Sequence, residues 1–428
     1  MNSYTLITMF VRALNWNAFS YGAYKISALL VSYLLYTTLT KAEFTLWASS
    51  MSFIFFGLLI LDGGFRKSIP RFCPEFSTTQ IIHARFVRWL CATQATLLIV
   101  ALFGYCWLLP HFFHVMHIPV SDSIAIRLMT LFFLQGCMGM MRIIYHTHFW
   151  NKQFNSLAMI ILFIECILSL VCCFKQPDRL LLHKILTINC VGALCVTVIS
   201  FFLLSRKTIT IFEKKELSFD RRTHLPVKQF VIHTVCMWAS TLIKALSERN
   251  FLFPYIVYSL GPSTGITFKL THDAALFFYR IAVKVIGIND TALLAYARHN
   301  SPVMNELFCA LVRAVVSLVV PLVIMALMSA LIVYAYMPSY AGYITPFCIF
   351  TCGYMIEVIL SPYERLLEVS LCYKLLMIAY LPYILLLGLM FYYQTISFLG
   401  LTLFVAIIQA LRVVSALIMT YNAFYLVK

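Results

Sequence analysis

The chain is expected to be an all-α polytopic membrane protein, with about twelve transmembrane helices in two six-helix lobes around a central cavity. Three observations carry that expectation. Of 428 residues, 62% are hydrophobic and 11% charged, and the mean hydropathy is +0.89, more apolar surface than a water-soluble domain can cover. Apolar runs of about 20 residues, each long enough to cross roughly 30 Å of hydrocarbon, recur along the chain. One long hydrophilic stretch, SRKTITIFEKKELSFDRRTHLPVK (205–228), divides the spans evenly. Residues 1–210 then form an N-terminal lobe, 211–228 a basic linker and 229–428 a C-terminal lobe. Paired lobes of this kind suit a transporter that rocks around a site between them.

The first span, near residue 26, is apolar except for a stripe. At 100° per residue Asn17, Tyr21, Tyr24, Lys25 and Ser32 fall within roughly 100° of arc. The second, near 53, runs into LILDGGFRKSIPRF (59–72), where Asp62, Gly63 and Gly64 precede Arg66, Lys67 and Arg71. A positive-inside stop signal explains the cations but not the Asp-Gly-Gly. Glycine there would let the helix bend or be approached closely, and Asp62 could orient Arg66 four residues on. Spans follow near 98, 136, 165 and 192. HFFHVMH (111–117) reads as an interfacial turn, since no carboxylate stands near its histidines.

After the divider, spans are expected near 237, 276, 320, 352, 382 and 411. The stretch 251–260 is too short to cross and must dip or cap. In the span near 276, Lys269, Asp273, Arg280 and Lys284 project within roughly 60° of one another, which calls for water or an anionic ligand beside them. The bland alternatives are snorkelling of Lys269 and Lys284 to the two surfaces, and a neutral Lys269–Asp273 pair at i, i+4. Glu165 and Glu357 are lone acids in their spans. Each is a core carboxyl or a proton-coupling group.

The net charge is +16, and its distribution sets orientation. The loop after span two and the divider hold most loop lysines and arginines, so both termini of the multi-pass chain are expected in the cytoplasm. The fourteen cysteines are scattered through spans, and no structural disulfide or metal site is expected. G-x-S-x-G, Walker-type and H-E-x-x-H signatures are absent, so no enzyme is expected. Nor is a cofactor, a nucleic-acid partner or an oligomer; the driving force is open between sodium or proton coupling, membrane potential and downstream consumption of product.

TKAEFTLWASSMSFIFFGLLILDGGFRKSIPRFCPEF (40–76) resembles the second-helix region of polysaccharide (O-antigen type) flippases. There an E-F-G-x-W segment leads through a span into D-x-G-x and an arginine. Glu43, Phe44, Trp47, Asp62, Gly64 and Arg71 match, while Thr45 replaces the glycine. SPYERLLEVSLCYKLLMIAYLPYILLLG (361–388) and LGPSTGITFKLTHDAALFF (260–278) are similar to later parts of the same group. The resemblance implies the multidrug/oligosaccharidyl-lipid/polysaccharide exporter superfamily, with a cationic lumen and a polyprenyl (undecaprenyl) pyrophosphate-linked oligosaccharide as substrate. On that implication Arg66 and Arg71 recruit the head group. Lys25, Arg280 and Lys284 hold it in the lumen, with Lys269 nearer the exit, and Asp62, Gly63, Gly64, Glu165, Asp273 and Glu357 serve gating or coupling. Two alternatives stand beside it: a cation-coupled multidrug exporter of the same superfamily, and a membrane glycan polymerase or ligase, which needs a larger outward loop.

Overall fold

A computed structural model describes residues 3–76, 80–115, 120–147, 150–174, 181–213, 227–245, 249–286, 289–297, 301–336 and 342–370, with isolated helical positions at 384, 388, 400 and 407. These residues form α1 (Ser3–Thr38), α2 (Lys41–Leu61), α3 (Phe65–Phe76), α4 (Gln80–Val115), α5 (Asp122–Thr147), α6 (Asn151–Phe174) and α7 (Leu181–Glu213). The second half supplies α8 (Val227–Ala245), α9 (Arg249–Leu260), α10 (Pro262–Ile286), α11 (Asn289–Ala297), α12 (Ser301–Tyr336) and α13 (Ile344–Val369). No strand occurs among the described residues, and seven helices have the length and composition of membrane spans. The spans expected near 382 and 411, and most of the linker, lie outside the described residues.

Local chemistry sets the helix ends. Thr40 starts α2 with a capping box: its hydroxyl accepts from the Glu43 amide, and the Glu43 carboxylate accepts from the Thr40 amide at 3.0 Å. Gly63 and Gly64, at φ 54° and 80°, end α2 and redirect the chain into α3. The apolar stretch 251–260 forms α9, which follows α8 and turns at Gly261 (φ 88°) into α10. α8 and α9 are 19 and 12 residues long, and the apolar stretch of each is shorter than a full span. Around 111–115 the chain does not turn: α4 continues through Pro110 to Val115.

Among the described residues α2 gives way to α3 at Gly63 and Gly64, and α9 to α10 at Gly261. The chain halves meet where α1 packs on α10, α2 on α8 and α9, and α3 on α8 and α11. Buried apolar residues of both halves belong to one continuous cluster, from Leu35, Phe44 and Phe132 to Phe268, Tyr279 and Val358. α3 is amphipathic: Phe65, Ile69 and Phe72 are buried with Leu90, Ile143 and Phe230. Outward faces of α4, α6, α7 and α12 carry exposed Phe103, Trp107, Phe163, Phe201 and Leu331. In a bilayer such side chains need no cover, because lipid tails solvate them.

Candidate functional site

The site is built at the breaks. Where α2 ends, its last carbonyls lack helical partners. The Trp238 indole Nε1 of α8 donates to the Ile60 carbonyl at 2.9 Å, and the Phe65 amide donates to the Asp62 carbonyl at 2.9 Å. Gly64 lies flat on α8, where a Cβ would collide with the Thr234 carbonyl oxygen and the Trp238 amide. Only glycine combines that approach with this φ.

Directly after the break α3 meets a buried ionic cluster. Lys67 Nζ donates to Glu368 Oε1 at 2.6 Å, and Arg365 Nη1 donates to the other Glu368 oxygen at 2.8 Å. Arg365 Nε reaches Asp290 Oδ2 at 3.2 Å, tying α13 to α11. One turn beyond Lys67, Arg71 is fully buried, its Nε donates to the Val369 carbonyl at 2.8 Å, and its guanidinium lies 4.8 Å from the Phe72 ring centroid. His233 of α8 is also buried and packs edge-on against Phe72. The cluster thus joins positions about 300 residues apart in sequence. α3 and α11 lie outside the apolar spans. Burial lowers the Lys67 ammonium from its ordinary value, with Glu368 pulling the other way. Burial pushes the Asp290 carboxyl up to about 6, against the opposing effect of Arg365.

Farther along the seam, Lys269 of α10 is 3% exposed. Its ammonium donates to Asp273 at 2.7 Å and sits 5.1 Å and 5.8 Å from the Trp47 and Phe44 ring centroids of α2. Carboxylate and aromatic faces together make a desolvated ammonium tolerable. Two of the α2 residues that carry the flippase resemblance, Phe44 and Trp47, thus face this lysine. On the same helix, His272 Nε2 is bonded to the Tyr354 hydroxyl at 2.6 Å, the Tyr354 ring lies tilted against Tyr279 at 4.7 Å, and the Tyr279 hydroxyl donates to Glu357 at 2.6 Å.

Lys25 lies on α1, and Arg280 and Lys284 lie on α10, the helices that pack together across the seam; their side chains fall outside the described residues. Arg66 is half-buried at the start of α3. Glu165 lies apart from the seam, with its carboxyl in the notch left by Gly192 of α7. The residues that sequence reasoning did not single out are Lys67, Asp290, Arg365 and Glu368. Lys67 reads as one more positive-inside cation, and no motif or spacing marks the other three. A second polar cluster joins α1 to α6 and α5: Asn17 Oδ1 accepts from Asn151 and Asn155 at 2.8 and 2.9 Å, and Asn155 Oδ1 lies 3.2 Å from His146 Nε2. Among the described residues no group of His, Cys, Asp or Glu is arranged to hold a metal ion.

No family model matches the chain, and no curated protein matches it in sequence. Its backbone is nevertheless similar to solved transporters over nearly its whole length. One is described as an outward-facing multidrug resistance MATE family transporter of the MOP superfamily: TM-score 0.71, 10% identity, 97% of this chain and 95% of that one. A mutant of the Vibrio cholerae MATE transporter VcmN gives 0.67 at 10% identity, over 99% and 98%. A MOP superfamily transporter from Pyrococcus furiosus, described as having a binding pocket of reverse polarity that suggests a different function, gives 0.60 at 12%, over 96% and 94%. The fold is that of a polytopic all-α membrane protein. More narrowly, it is the fold of the MATE transporters of the MOP superfamily.

Proposed function

We propose that this chain is a flippase, and not an enzyme, that moves a polyprenyl-pyrophosphate-linked oligosaccharide from the cytoplasmic to the outer leaflet by alternating access. One observation supports this reading above the rest. α1 and α10, the two helices that carry Lys25 and the run Lys269, Asp273, Arg280 and Lys284, pack on each other where the chain halves meet. Cations on facing helices suit a pyrophosphate, which is a dense anion that hydrocarbon excludes. The polyprenyl tail stays in lipid while phosphates and sugar pass between the lobes. Asp273, Glu165 and Glu357 are the carboxyls available for coupling to protons or sodium. The protein works as a monomer in a bacterial inner membrane, with both termini cytoplasmic.

A second reading, a cation-coupled multidrug exporter, is favoured by the fold it shares with MATE transporters. The two separate in cells whose surface glycan depends on this protein. Single Lys25→Ala, Arg280→Ala and Lys284→Ala variants at normal protein levels are expected to lose surface glycan without changing susceptibility to cationic drugs. Retained glycan in all three rejects the flippase, and a drug phenotype alone supports the exporter.

A further inference from the structure

In the arrangement seen here Arg71 has no exposed surface, and Lys67, though partly exposed, has its ammonium engaged by Glu368. Both contacts cross between the chain halves: α3 belongs to the first, and Glu368 and Val369 to the second. Any motion that separates α3 from α13 must break them. The charge on the two sides is unequal. α3 carries Arg66, Lys67 and Arg71 with no acid before Glu75. The facing surface carries Asp290, Glu364 and Glu368 against the single Arg365, and Glu364 acts electrostatically on both Lys67 and Arg365. Closed, three acids face four cations. Opened, α3 retains its three cations, Lys67 and Arg71 on one face, across from a surface with surplus negative charge.

Separating buried opposite charges is costly unless each finds a new partner. The carboxylate side can be rehydrated or can keep Arg365. The α3 side needs anion, and one multivalent anion replaces Glu368 and the Val369 carbonyl together. Arg71 offers a planar fork for phosphate oxygens and Lys67, one helical turn away, a point charge. We infer that Lys67 and Arg71 form an anion-exchange gate: closed on Glu368 and the Val369 carbonyl, and open when a pyrophosphate head group takes their place. This rests on the flippase reading for the identity of the anion. It adds that substrate binding and gate opening are one exchange of partners. A lock without a ligand role is the competing view, and it predicts no response to pyrophosphate.

The experiment uses the full chain in lipid nanodiscs carrying Ser68→Cys, a position on α3 with no exposed surface in the closed gate. Maleimide modification of that thiol is followed by peptide mass spectrometry, so the native cysteines can stay. The probes are farnesyl pyrophosphate, inorganic pyrophosphate and farnesol. Farnesyl pyrophosphate is expected to raise the labelling rate about tenfold, and farnesol not at all. A rise with inorganic pyrophosphate assigns the trigger to the free anion, and a rise with the prenylated form alone assigns it to the lipid-borne head group; either supports the gate. Equal acceleration by farnesol overturns it. Lys67→Gln, which keeps a polar side chain but removes the charge, should raise basal labelling and weaken the response to farnesyl pyrophosphate; an unchanged response overturns the exchange. Should that variant not fold, Arg71→Gln must likewise weaken the response, and an unchanged response overturns the proposal equally. Binding of radiolabelled farnesyl pyrophosphate to the parent protein is measured in parallel. Binding without faster labelling removes the gate and leaves the flippase standing, whereas absence of binding removes the flippase reading itself.

Discussion

Replacing Gly64 by alanine tests the break between α2 and α3 most directly. Two costs follow from the structure. At φ 80° an L-residue carries a steric cost of roughly 1–2 kcal/mol. The new methyl also meets the Thr234 carbonyl and the Trp238 amide, which are backbone atoms inside α8 and cannot rotate away. Helix and loop must then shift apart, which in packed interiors costs about 1–3 kcal/mol more. The sum is roughly 2–5 kcal/mol. Gly63 supplies the internal control. Its φ of 54° carries the first cost, but its nearest neighbours are atoms of the Phe65 ring at 3.4 Å, a side chain that can turn. Gly63→Ala should therefore cost roughly 1–2 kcal/mol. Thermal denaturation of detergent-purified protein, followed by loss of the monodisperse chromatographic peak, ranks the two. A Gly64→Ala variant that melts at or above Gly63→Ala would refute the packing argument.

Three further outcomes follow from buried polar groups. Glu368→Ala leaves Lys67 and Arg365 without their shared acceptor, and about 3–5 kcal/mol of destabilisation is expected; a melting temperature within error of the parent would count against the cluster. Asn17→Ala removes the oxygen that receives both Asn151 and Asn155, with an expected cost of roughly 1–3 kcal/mol for each stranded donor. Asn17→Asp, which keeps an acceptor, should melt higher than Asn17→Ala. Gly192→Ala should be harmful only while Glu165 is present, because the new methyl occupies the place of the Glu165 carboxyl. In a Glu165→Ala background the same change should be nearly neutral, and additive costs in that double-mutant cycle would dispose of the contact.

How much of the candidate site could be read in advance varied with the range of the interaction. The break at Asp62-Gly63-Gly64 was legible, since two glycines between an apolar run and a basic one have few structural uses. Lys269 and Asp273 were legible as neighbours from helical geometry, and they do bond. That geometry could not say that Phe44 and Trp47 of α2 would close over the ammonium. Glu165 was visible as an acid in a span, but not its seat against Gly192. Lys67 looked like any cation at a membrane surface, because its partner Glu368 lies 301 positions away. The histidine-rich segment shows the opposite failure: closely spaced histidines with no carboxylate near them suggested an interfacial turn, yet the helix runs on through Pro110 to Val115. Proline costs little where packing holds the flanking turns in place.

By itself the sequence determined that this chain lives in a bilayer as a set of helices, because hydrophobic length and the need to satisfy every backbone group in lipid leave no other architecture for such a composition. It also marked where the second span breaks, since backbone conformation at glycine is a local property. Tertiary structure alone decided which charges meet. Ion pairs and aromatic contacts form between helices whose order along the chain says little about their order in space. The joining of α3 to α11 and α13 therefore emerged only once the two halves were packed together.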